Sequence, residues 1–238
     1  MNRHIAADTA GAAESCARRM LEIINVAIES SGSASIAVSG GSTPKLMFAA
    51  MAKSPIPWEK VHLFFVDERV VPMTSNDSNY KLAFDNLISP AAFPAANVHR
   101  VHGELEPEQA AVRYRDDITE FFQLKPGAMP RFDAIHLGMG EEGHTASLFP
   151  GDPNIKDRTG LTAAVYAPKL PNWRVTTLPG VLLAASHTLM LVAGADKNPV
   201  LKQVASGDYD PSVRPVQLIA REGSNVEWFL DQAAAAGI

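Results

Sequence analysis

The stretch FDAIHLGMGEEGHTASLFPG, residues 132–151, is the part of the sequence that best predicts the fold. Its first six residues form a short apolar run, which is typical of a buried strand in an open α/β sheet. Three glycines, Gly138, Gly140 and Gly143, follow at once. Because a residue without Cβ adopts backbone conformations that clash for other residues, this turn can bend sharply and approach a ligand closely.

His144 lies at the end of this turn, and Thr145, Ala146 and Ser147 are predicted to begin a short helix. The free N–H groups of such a helix could hold an anion. A strand, a glycine turn and a histidine in this order predict an active site. A tight strand-to-helix connection without function is the alternative.

The same turn has the spelling G-x-G-x-x-G of dinucleotide-binding proteins, but two features argue against a dinucleotide. Glu141 and Glu142 lie inside the turn, where their carboxylates would repel a pyrophosphate. The acidic residue expected about 20 residues later could only be Asp157, which lies in a loop-like run. We therefore predict that the turn binds something other than NAD.

The composition is that of an ordinary globular protein. The 238 residues can bury a sizeable core, and 46% of them are hydrophobic. The 21 Lys and Arg against 26 Asp and Glu give a formal net charge of −5, and no basic block stands out. Nucleic acid and anionic membranes are therefore not expected as partners. An anionic substrate would need a few well-placed cations to overcome the overall repulsion.

The cysteine content and the apolar runs indicate where in the cell the protein is expected. Cys16 is the single cysteine, so no disulfide within the chain is possible and no thiol-ligated metal is predicted. Neither the N-terminal segment nor any later run approaches the ~18 apolar residues of a membrane span. We expect a cytoplasmic protein.

Short apolar runs alternate with helical patterns along the whole chain. Strands are predicted at residues 35–39, 61–66, 97–101, 132–137, 162–166, 187–193 and 215–220. Helices are predicted at residues 9–31, 78–87, 106–122 and 224–235, the last with a capping box formed by Ser224 and Glu227. This alternation predicts an α/β fold, a single domain over residues 1–238 with a mostly parallel sheet and helices on both faces.

A second glycine turn, Gly40-Gly41-Ser42-Thr43-Pro44, follows the predicted strand 35–39. Ser or Thr as the N-cap with Pro just inside predicts the start of a helix. A strand, a Gly-Gly bend and a capped helix together present several backbone N–H groups to a phosphate. A plain strand-to-helix connection is the alternative.

Charged residues follow the predicted strands, at the edge where ligands of open α/β sheets bind. The segment Asp67-Glu68-Arg69 follows the strand 61–66, and Lys197 follows the strand 187–193. Arg174 lies between an aromatic and a β-branched residue, and its guanidinium could bind a phosphate or a carboxylate. The alternatives are a solvated sheet edge for 67–69 and a surface arginine lying over Trp173.

The remaining histidines, at positions 4, 62, 99, 102, 136 and 187, are predicted to be structural. They lack a metal-ligand spacing such as H-E-x-x-H, and three of them fall in or at predicted strands. No metal site is predicted.

Four strand-end segments together resemble the 6-phosphogluconolactonase family, in the same order and at similar spacing. They are SGGSTP at 39–44, VDER at 66–69 with SNY at 78–80, GMGEEGHTASLFPG at 138–151, and the pair of Arg174 in NWRVT and Lys197 in GADK. The run GHTASLFPG is specific, and the resemblance covers nearly the whole chain. One departure is that the family usually has Asp two residues before the histidine, where this sequence has Glu142.

The resemblance implies an α/β fold shared with glucosamine-6-phosphate deaminase and ribose-5-phosphate isomerase. It also implies hydrolysis of the phosphosugar lactone 6-phospho-D-glucono-1,5-lactone to 6-phosphogluconate without a cofactor. A monomer or a small homo-oligomer is expected. A deaminase of this fold typically follows the histidine with I-A-F-N-E-P, and here Phe149 replaces that glutamate. A non-catalytic sugar-phosphate sensor is the alternative from another class, although no DNA-binding region accompanies the fold.

Roles for the candidate residues follow from this chemistry. His144 is expected to act as general base toward water, with Glu142 or Asp67 orienting its imidazole. The 6-phosphate is expected to bind the backbone of Gly41, Ser42 and Thr43. Some combination of Arg69, Arg174 and Lys197 is expected to hold the phosphate and the developing oxyanion.

Overall fold

The computed structural model describes residues 1–167 and 172–238. Its strands are β1 Asn2–Ala6, β2 Ala34–Val38, β3 Val61–Phe65, β4 Asp67–Arg69, β5 Val98–His99, β6 Ala134–Leu137, β7 Thr162–Ala167, β8 Asn172–Thr177, β9 Thr188–Val192 and β10 Val226–Asp231. Its α-helices are α1 Thr9–Ser31, α2 Ser42–Met51, α3 Asn79–Ala83, α4 Pro107–Phe121, α5 Pro179–Ala184, α6 Asn198–Ser206 and α7 Val216–Glu222. A π-helical turn, Phe84–Ile88, continues α3.

Seven strands form one parallel sheet in the order β1-β10-β9-β6-β2-β3-β5. The chain leaves β2 toward β3 and β5 on one side, and leaves β6 toward β9 and β10 on the other. The boundary between β2 and β6 is therefore the switch point of the topology. In open α/β sheets, ligands bind beyond the carboxyl ends of the strands at such a point. Both glycine turns of the sequence leave these two strands.

Each face of the sheet carries its own apolar core because successive side chains of a strand point to opposite faces. Ile36 and Leu63 pack with α1 and α2 on one face. Ala37, Phe64 and Ile135 pack on the other face, with α4, α5, α6 and α7. The α/β prediction, with a mostly parallel sheet between layers of helices, is confirmed.

Helix α1 follows the predicted apolar spacing over its whole length. The Asp8 side chain caps it by accepting a hydrogen bond from the Gly11 N–H at 2.8 Å. Gly32 ends it with a φ of 86°, a left-handed conformation that suits glycine. Cys16 is completely buried on its inner face, as predicted for a core residue.

A second, antiparallel sheet of three strands, in the order β4-β8-β7, lies beyond the end of β3. The segment 67–69, which the sequence placed at the end of a strand, forms the edge strand β4. It pairs with β8 in the register Asp67↔Thr176, Glu68↔Val175 and Arg69↔Arg174. This pairing joins residues more than 100 positions apart in sequence, and it brings two candidate cations opposite each other.

Two predictions near the C-terminus are wrong. Residues 215–220, predicted as a strand, belong to helix α7. Residues 224–235, predicted as a capped helix, contain strand β10, which pairs with β9 and β1. A short apolar run suits a buried helix as well as a buried strand. Glu227, expected in a capping box, instead accepts a hydrogen bond from Arg19 Nε at 2.7 Å at the sheet edge.

Strand β1 is not predicted by the sequence pattern, since its residues are mostly polar and exposed. It is held as the edge strand by its register with β10, from Asn2↔Glu227 to Ala6↔Asp231. Among the residues that the structure describes, no helix combines the length and the apolar character needed to cross a bilayer.

Candidate active site

The candidate residues meet in one cavity of about 200 Å³ beyond the carboxyl ends of β2, β6 and β9. Its lining includes eight of the nine residues predicted from the sequence: Gly41, Ser42, Thr43, Asp67, Arg69, His144, Arg174 and Lys197. The ninth, Glu142, lies behind His144 and contacts it. One glycine turn supplies backbone groups to this cavity, and the other supplies a histidine side chain.

The turn 40–44 leads directly from β2 into helix α2. Gly41 is the N-cap residue, with a φ of 125° and a ψ of 174° and no side-chain cap hydrogen bond. The prediction that Ser42 or Thr43 caps the helix is therefore wrong, and both residues belong to its first turn. Only glycine adopts this backbone conformation without strain. The first-turn backbone thus borders the cavity, as needed for binding an anion.

Gly140 makes room for the histidine in the other turn. A Cβ at position 140 would lie 2.0 Å from His144 Nδ1 and 2.8 Å from Glu142 Oε2. The turn is closed by hydrogen bonds from the Gly140 N–H to the His144 carbonyl at 2.9 Å and from the Gly143 N–H to the Gly140 carbonyl at 3.0 Å. Gly143 has a φ of 87°. The imidazole therefore lies directly against the backbone of its own turn.

Residues 145–147 form a turn rather than the start of a helix, so that prediction is wrong. Ala146 has a φ of 48°, and the Leu148 N–H closes a tight turn onto the Thr145 carbonyl at 3.0 Å. The Thr145 hydroxyl donates to the Gly138 carbonyl at 2.9 Å. Side-chain hydrogen bonds of this kind compete with helix formation. The segment fixes the histidine turn from behind rather than offering helix N–H groups to an anion.

His144 and Glu142 form a close pair at the cavity wall. His144 Nδ1 lies 3.2 Å from Glu142 Oε2, and each side chain is 27% exposed. The contact is an electrostatic one rather than a well-aligned hydrogen bond. The Phe149 ring packs against the imidazole, with 4.9 Å between the ring centroids. Nε2 is the ring nitrogen that does not contact Glu142.

Asp67 is buried and serves other partners. Its carboxylate accepts hydrogen bonds from the Ser147 hydroxyl at 2.7 Å, and from the Ser39 hydroxyl and Asn79 Nδ2, each at 3.4 Å. It lies 3.9 Å from Arg174 Nη1. In the part of the chain that the structure describes, the carboxylate in contact with His144 is therefore that of Glu142.

Arg69 and Arg174 reach the cavity from directly opposite positions of β4 and β8. Arg174 is only 6% exposed, so the surface-arginine alternative is wrong. Burial lowers the pKa of the Arg174 guanidinium, and the nearby charge of Asp67 opposes this shift. An arginine still keeps its charge under such conditions. Within residues 1–167 and 172–238, the buried Nε atoms of both arginines have no hydrogen-bond partner.

Lys197 supplies the third cation, from the short helical turn after β9. Its Nζ lies 2.9 Å from Asp196 Oδ2 and 3.6 Å from Glu141 Oε1. The hydrogen bond from Lys197 lowers the pKa of the Asp196 carboxyl. The lysine is therefore held at the rim by carboxylates that remain largely exposed, and an incoming anion would compete with them.

Four residues that support the site lie within the motif segments, but no supporting role was predicted for Ser39, Ser147 or Phe149, and Asn79 was expected either to line the site or to cap its helix. Ser39, Ser147 and Asn79 hold Asp67, and Phe149 contacts both His144 and Arg174, whose Cζ lies 5.8 Å from its ring centroid. Their contacts with Asp67, His144 and Arg174 form only in the tertiary fold, so the sequence motifs place these residues near the site but do not give their roles. Within the described part of the chain, no three His, Cys, Asp or Glu side chains are grouped so as to hold a metal ion.

Comparison with known families decides the relationship. A sequence model of the family described as glucosamine-6-phosphate isomerases/6-phosphogluconolactonase matches residues 7–228. The chain belongs to this family. A relative from Synechocystis, named 6-phosphogluconolactonase, is 37% identical over 216 residues, which are 90% of this chain and 89% of that protein.

Two solved structures are similar to this chain over nearly its whole length. The 6-phosphogluconolactonase from Trypanosoma cruzi has a TM-score of 0.89 at 25% identity and covers 100% of this chain and 96% of its own. A monomeric glucosamine-6-phosphate deaminase has a TM-score of 0.84 at 17% identity, covering 99% of each chain, and at that identity it shows a shared fold alone.

Proposed function

We propose that this protein hydrolyses 6-phospho-D-glucono-1,5-lactone to 6-phosphogluconate, the second step of the oxidative pentose phosphate pathway, with His144 as general base. The observation that carries the proposal is the meeting of two unlike groups in one small cavity. The His144–Glu142 pair stands at one wall, and the turn 41–43 with three cations surrounds the rest. Membership of the family and the names of the similar proteins support the same substrate.

The reaction needs few groups because a lactone carbonyl is already electrophilic. Neutral His144 accepts a proton from water through Nε2 as the water oxygen attacks C1. Collapse of the tetrahedral intermediate breaks the bond from C1 to the ring oxygen, and the imidazolium returns its proton to that oxygen. The carboxylic acid product then ionises. General base and acid catalysis of this kind is worth about 10²–10⁴ in rate.

Glu142 is the proposed partner of the base. Its Oε2 lies 3.2 Å from His144 Nδ1, so it favours the tautomer with the proton on Nδ1 and stabilises the imidazolium as it forms. The longer side chain of Glu, compared with the Asp usual in the family, is accommodated because Gly140 leaves space beside both residues. Asp67 is instead proposed to hold Arg174 in the cavity.

Three cations are available for two tasks. The 6-phosphate is proposed to bind the backbone of Gly41 to Thr43 together with members of the set Arg69, Arg174 and Lys197, leaving at least one of them for the oxyanion. Single alanine variants assign the tasks, since loss of a phosphate contact raises KM and loss of an oxyanion contact lowers kcat. We expect Arg174→Ala mainly to raise KM, and an unchanged KM would remove it from phosphate binding.

The decisive experiment compares wild type and His144→Ala on freshly generated 6-phosphogluconolactone, with the spontaneous hydrolysis rate subtracted. We expect wild type to accelerate hydrolysis and the variant to lose about 10²–10⁴ in kcat with little change in KM. His4→Ala, in the edge strand β1, is the matched control and should keep full activity.

Two results would contradict the proposal. Full turnover by His144→Ala would remove this residue from the mechanism. Absence of acceleration by wild type, with ammonia released from glucosamine 6-phosphate or with binding of 6-phosphogluconate alone, would identify a deaminase or a sensor instead.

A further inference from the structure

Glu68 is a buried carboxylate that the proposed reaction does not use. It lies between the site residues Asp67 and Arg69 and is only 2% exposed. Its oxygens accept hydrogen bonds from the backbone N–H groups of Arg69, Asn79 and Tyr80, each at 2.7 Å, and from the Ser78 hydroxyl at 3.0 Å. Burial raises the pKa of the Glu68 carboxyl, while these four donors favour its ionised form.

These bonds complete the start of helix α3. The first N–H groups of a helix lack partners within the helix and must be satisfied by other groups. Glu68 accepts from Asn79 and Tyr80, and the Ser78 side chain accepts from the Lys81 N–H at 3.1 Å. A carboxylate is also favoured at this end by the helix dipole. Glu68 therefore fixes residues 78–80 to strand β4.

The fixed segment in turn holds two site residues. The Asp77 carbonyl accepts a hydrogen bond from Arg69 Nη1. The Asn79 side chain donates to the Asp67 carbonyl at 2.9 Å and to its carboxylate at 3.4 Å. Asn79 also lies so close to Gly40 that a Cβ there would be 1.9 Å from its Oδ1. One segment thus contacts Arg69, Asp67 and the turn 40–44.

We propose that Glu68 is a positioning residue, which sets the Arg69 guanidinium through Asp77 and the Asp67 carboxylate through Asn79 without touching the substrate. This inference rests on the proposed function, since it assigns Arg69 to substrate binding. The four hydrogen bonds to the buried Glu68 carboxylate support this proposal. Through them, one side chain of β4 holds the end of the nine-residue loop 70–78, which begins at the end of that strand.

Glu68→Gln tests the proposal with little change in shape. An amide cannot accept hydrogen bonds at both ends, so at least one of the N–H groups of residues 79 and 80 or the Ser78 hydroxyl loses its acceptor. We expect KM for the lactone to rise about tenfold with a smaller change in kcat. The dissociation constant of inorganic phosphate, measured by calorimetry, should rise in parallel.

Glu227→Gln is the matched control, since Glu227 is also a buried, hydrogen-bonded glutamate. It lies near the start of β10, whereas the cavity lies beyond the carboxyl ends of the strands. This control substitution should lower the melting temperature and leave KM and phosphate binding unchanged. If Glu68→Gln behaves like this control, with kinetics intact and only stability reduced, Glu68 is merely a structural cap and the proposal is overturned.

A double-mutant cycle with Arg69→Ala tests whether Glu68 affects substrate binding through Arg69. If Glu68 acts chiefly through Arg69, Glu68→Gln should raise KM much less in the Arg69→Ala background than in wild type. An equal fold-change in both backgrounds overturns that route. If Glu68→Gln folds poorly, Glu68→Asp is the second variant, because it keeps the charge on a shorter side chain. We expect it also to raise KM. A wild-type KM in Glu68→Asp would contradict the proposal.

Hydrogen exchange separates this inference from the proposed function. Loss of protection at the Asn79 and Tyr80 amides in Glu68→Gln, together with weaker phosphate binding, would support the positioning role even if wild type fails to hydrolyse the lactone. Unchanged protection at both amides would overturn the positioning role even if the lactonase activity is established.

Discussion

The two glycine turns leave neighbouring strands of the same sheet but present different groups to the cavity. The turn after β2 passes through Gly41, at a φ of 125°, into helix α2, and it presents backbone. The turn after β6 leads into no helix within the described residues, and it presents the His144 side chain above Gly140. In the first turn glycine supplies a backbone conformation, whereas in the second it supplies space.

In the proposed mechanism, this difference separates binding from chemistry within one cavity. A backbone cradle holds an anion in a fixed place but cannot exchange protons at neutral pH. An imidazole can exchange protons, but it needs a neighbour to orient it and room for both side chains. Substitutions at the two kinds of glycine should therefore have different kinetic signatures.

Gly140→Ala should give the largest effect. A Cβ at 2.0 Å from His144 Nδ1 forces the imidazole and Glu142 to move, since real Cβ atoms do not approach other atoms so closely. We expect kcat to fall by about 10²–10³, close to the loss on removal of the base itself. KM should change little. Steady-state kinetics on the lactone measure both.

Gly138→Ala is the matched control in the same turn, because a Cβ at position 138 meets nothing within 4 Å. Its loss of kcat should be far smaller than that of Gly140→Ala. Equal losses in the two variants would mean that the whole turn, rather than the space under His144, is sensitive to substitution.

Gly41→Ala should produce the opposite signature. A non-glycine residue at a φ of 125° is strained by about 1–3 kcal/mol, and the turn relaxes by moving its N–H groups. We expect KM to rise about tenfold with kcat within about threefold of wild type. Gly32→Ala, strained at a φ of 86° in the distant end of α1, should lower stability and leave KM unchanged. A fall in kcat with constant KM in Gly41→Ala would show that this turn, like the histidine turn, acts on the chemical step rather than on binding.

His136 links the two strands from which the glycine turns leave, and its titration should have the smallest of the predicted effects, a change in stability with pH. Its buried Nδ1 accepts a hydrogen bond from the Ser39 N–H at 3.3 Å, and burial lowers its pKa to about 3. Because the unfolded pKa is about 6.5, this contribution to stability is complete above pH 6.5 and is lost as pH falls toward 3.

Between pH 8 and pH 6, His136 should therefore account for about 1 kcal/mol of lost stability. His136→Asn keeps an acceptor but no titrating group, so its free energy of unfolding should fall less over this interval than that of wild type. Urea unfolding at the two pH values measures the difference. Identical pH dependence in both proteins would show that His136 is not held neutral.

The central sheet and both glycine turns could be predicted from sequence because they depend on local features. Apolar runs such as VHLFF at 61–65 can only be buried strands or short buried helices, and the glycines that follow 35–39 and 132–137 mark where the chain turns. The site lies where the ends of those strands meet, and Lys197 and His144 were placed there on this ground.

The errors occur where long-range partners decide the structure. The run PVQLIA at 215–220 fits a helix or a strand equally well in isolation, and packing of α7 on the sheet made the choice. Segment 226–231 became a strand because β9 and β1 flank it. Likewise, the pairing of β4 with β8 places Arg69 opposite Arg174 and brings Asp67 to its partners. No local sequence pattern predicts this pairing.

The strand order also has a consequence for how the protein folds during its synthesis. Gly41 and Arg69 are made early, whereas Arg174 and Lys197 come more than 100 residues later, and β1 must wait for β10 to form its pairing. Such distant contacts slow folding because long loops must close before any contact forms. A nascent chain therefore cannot bring these four residues together in one cavity until Lys197 has emerged, so a ligand of the proposed anion site could stabilise only a late stage of folding.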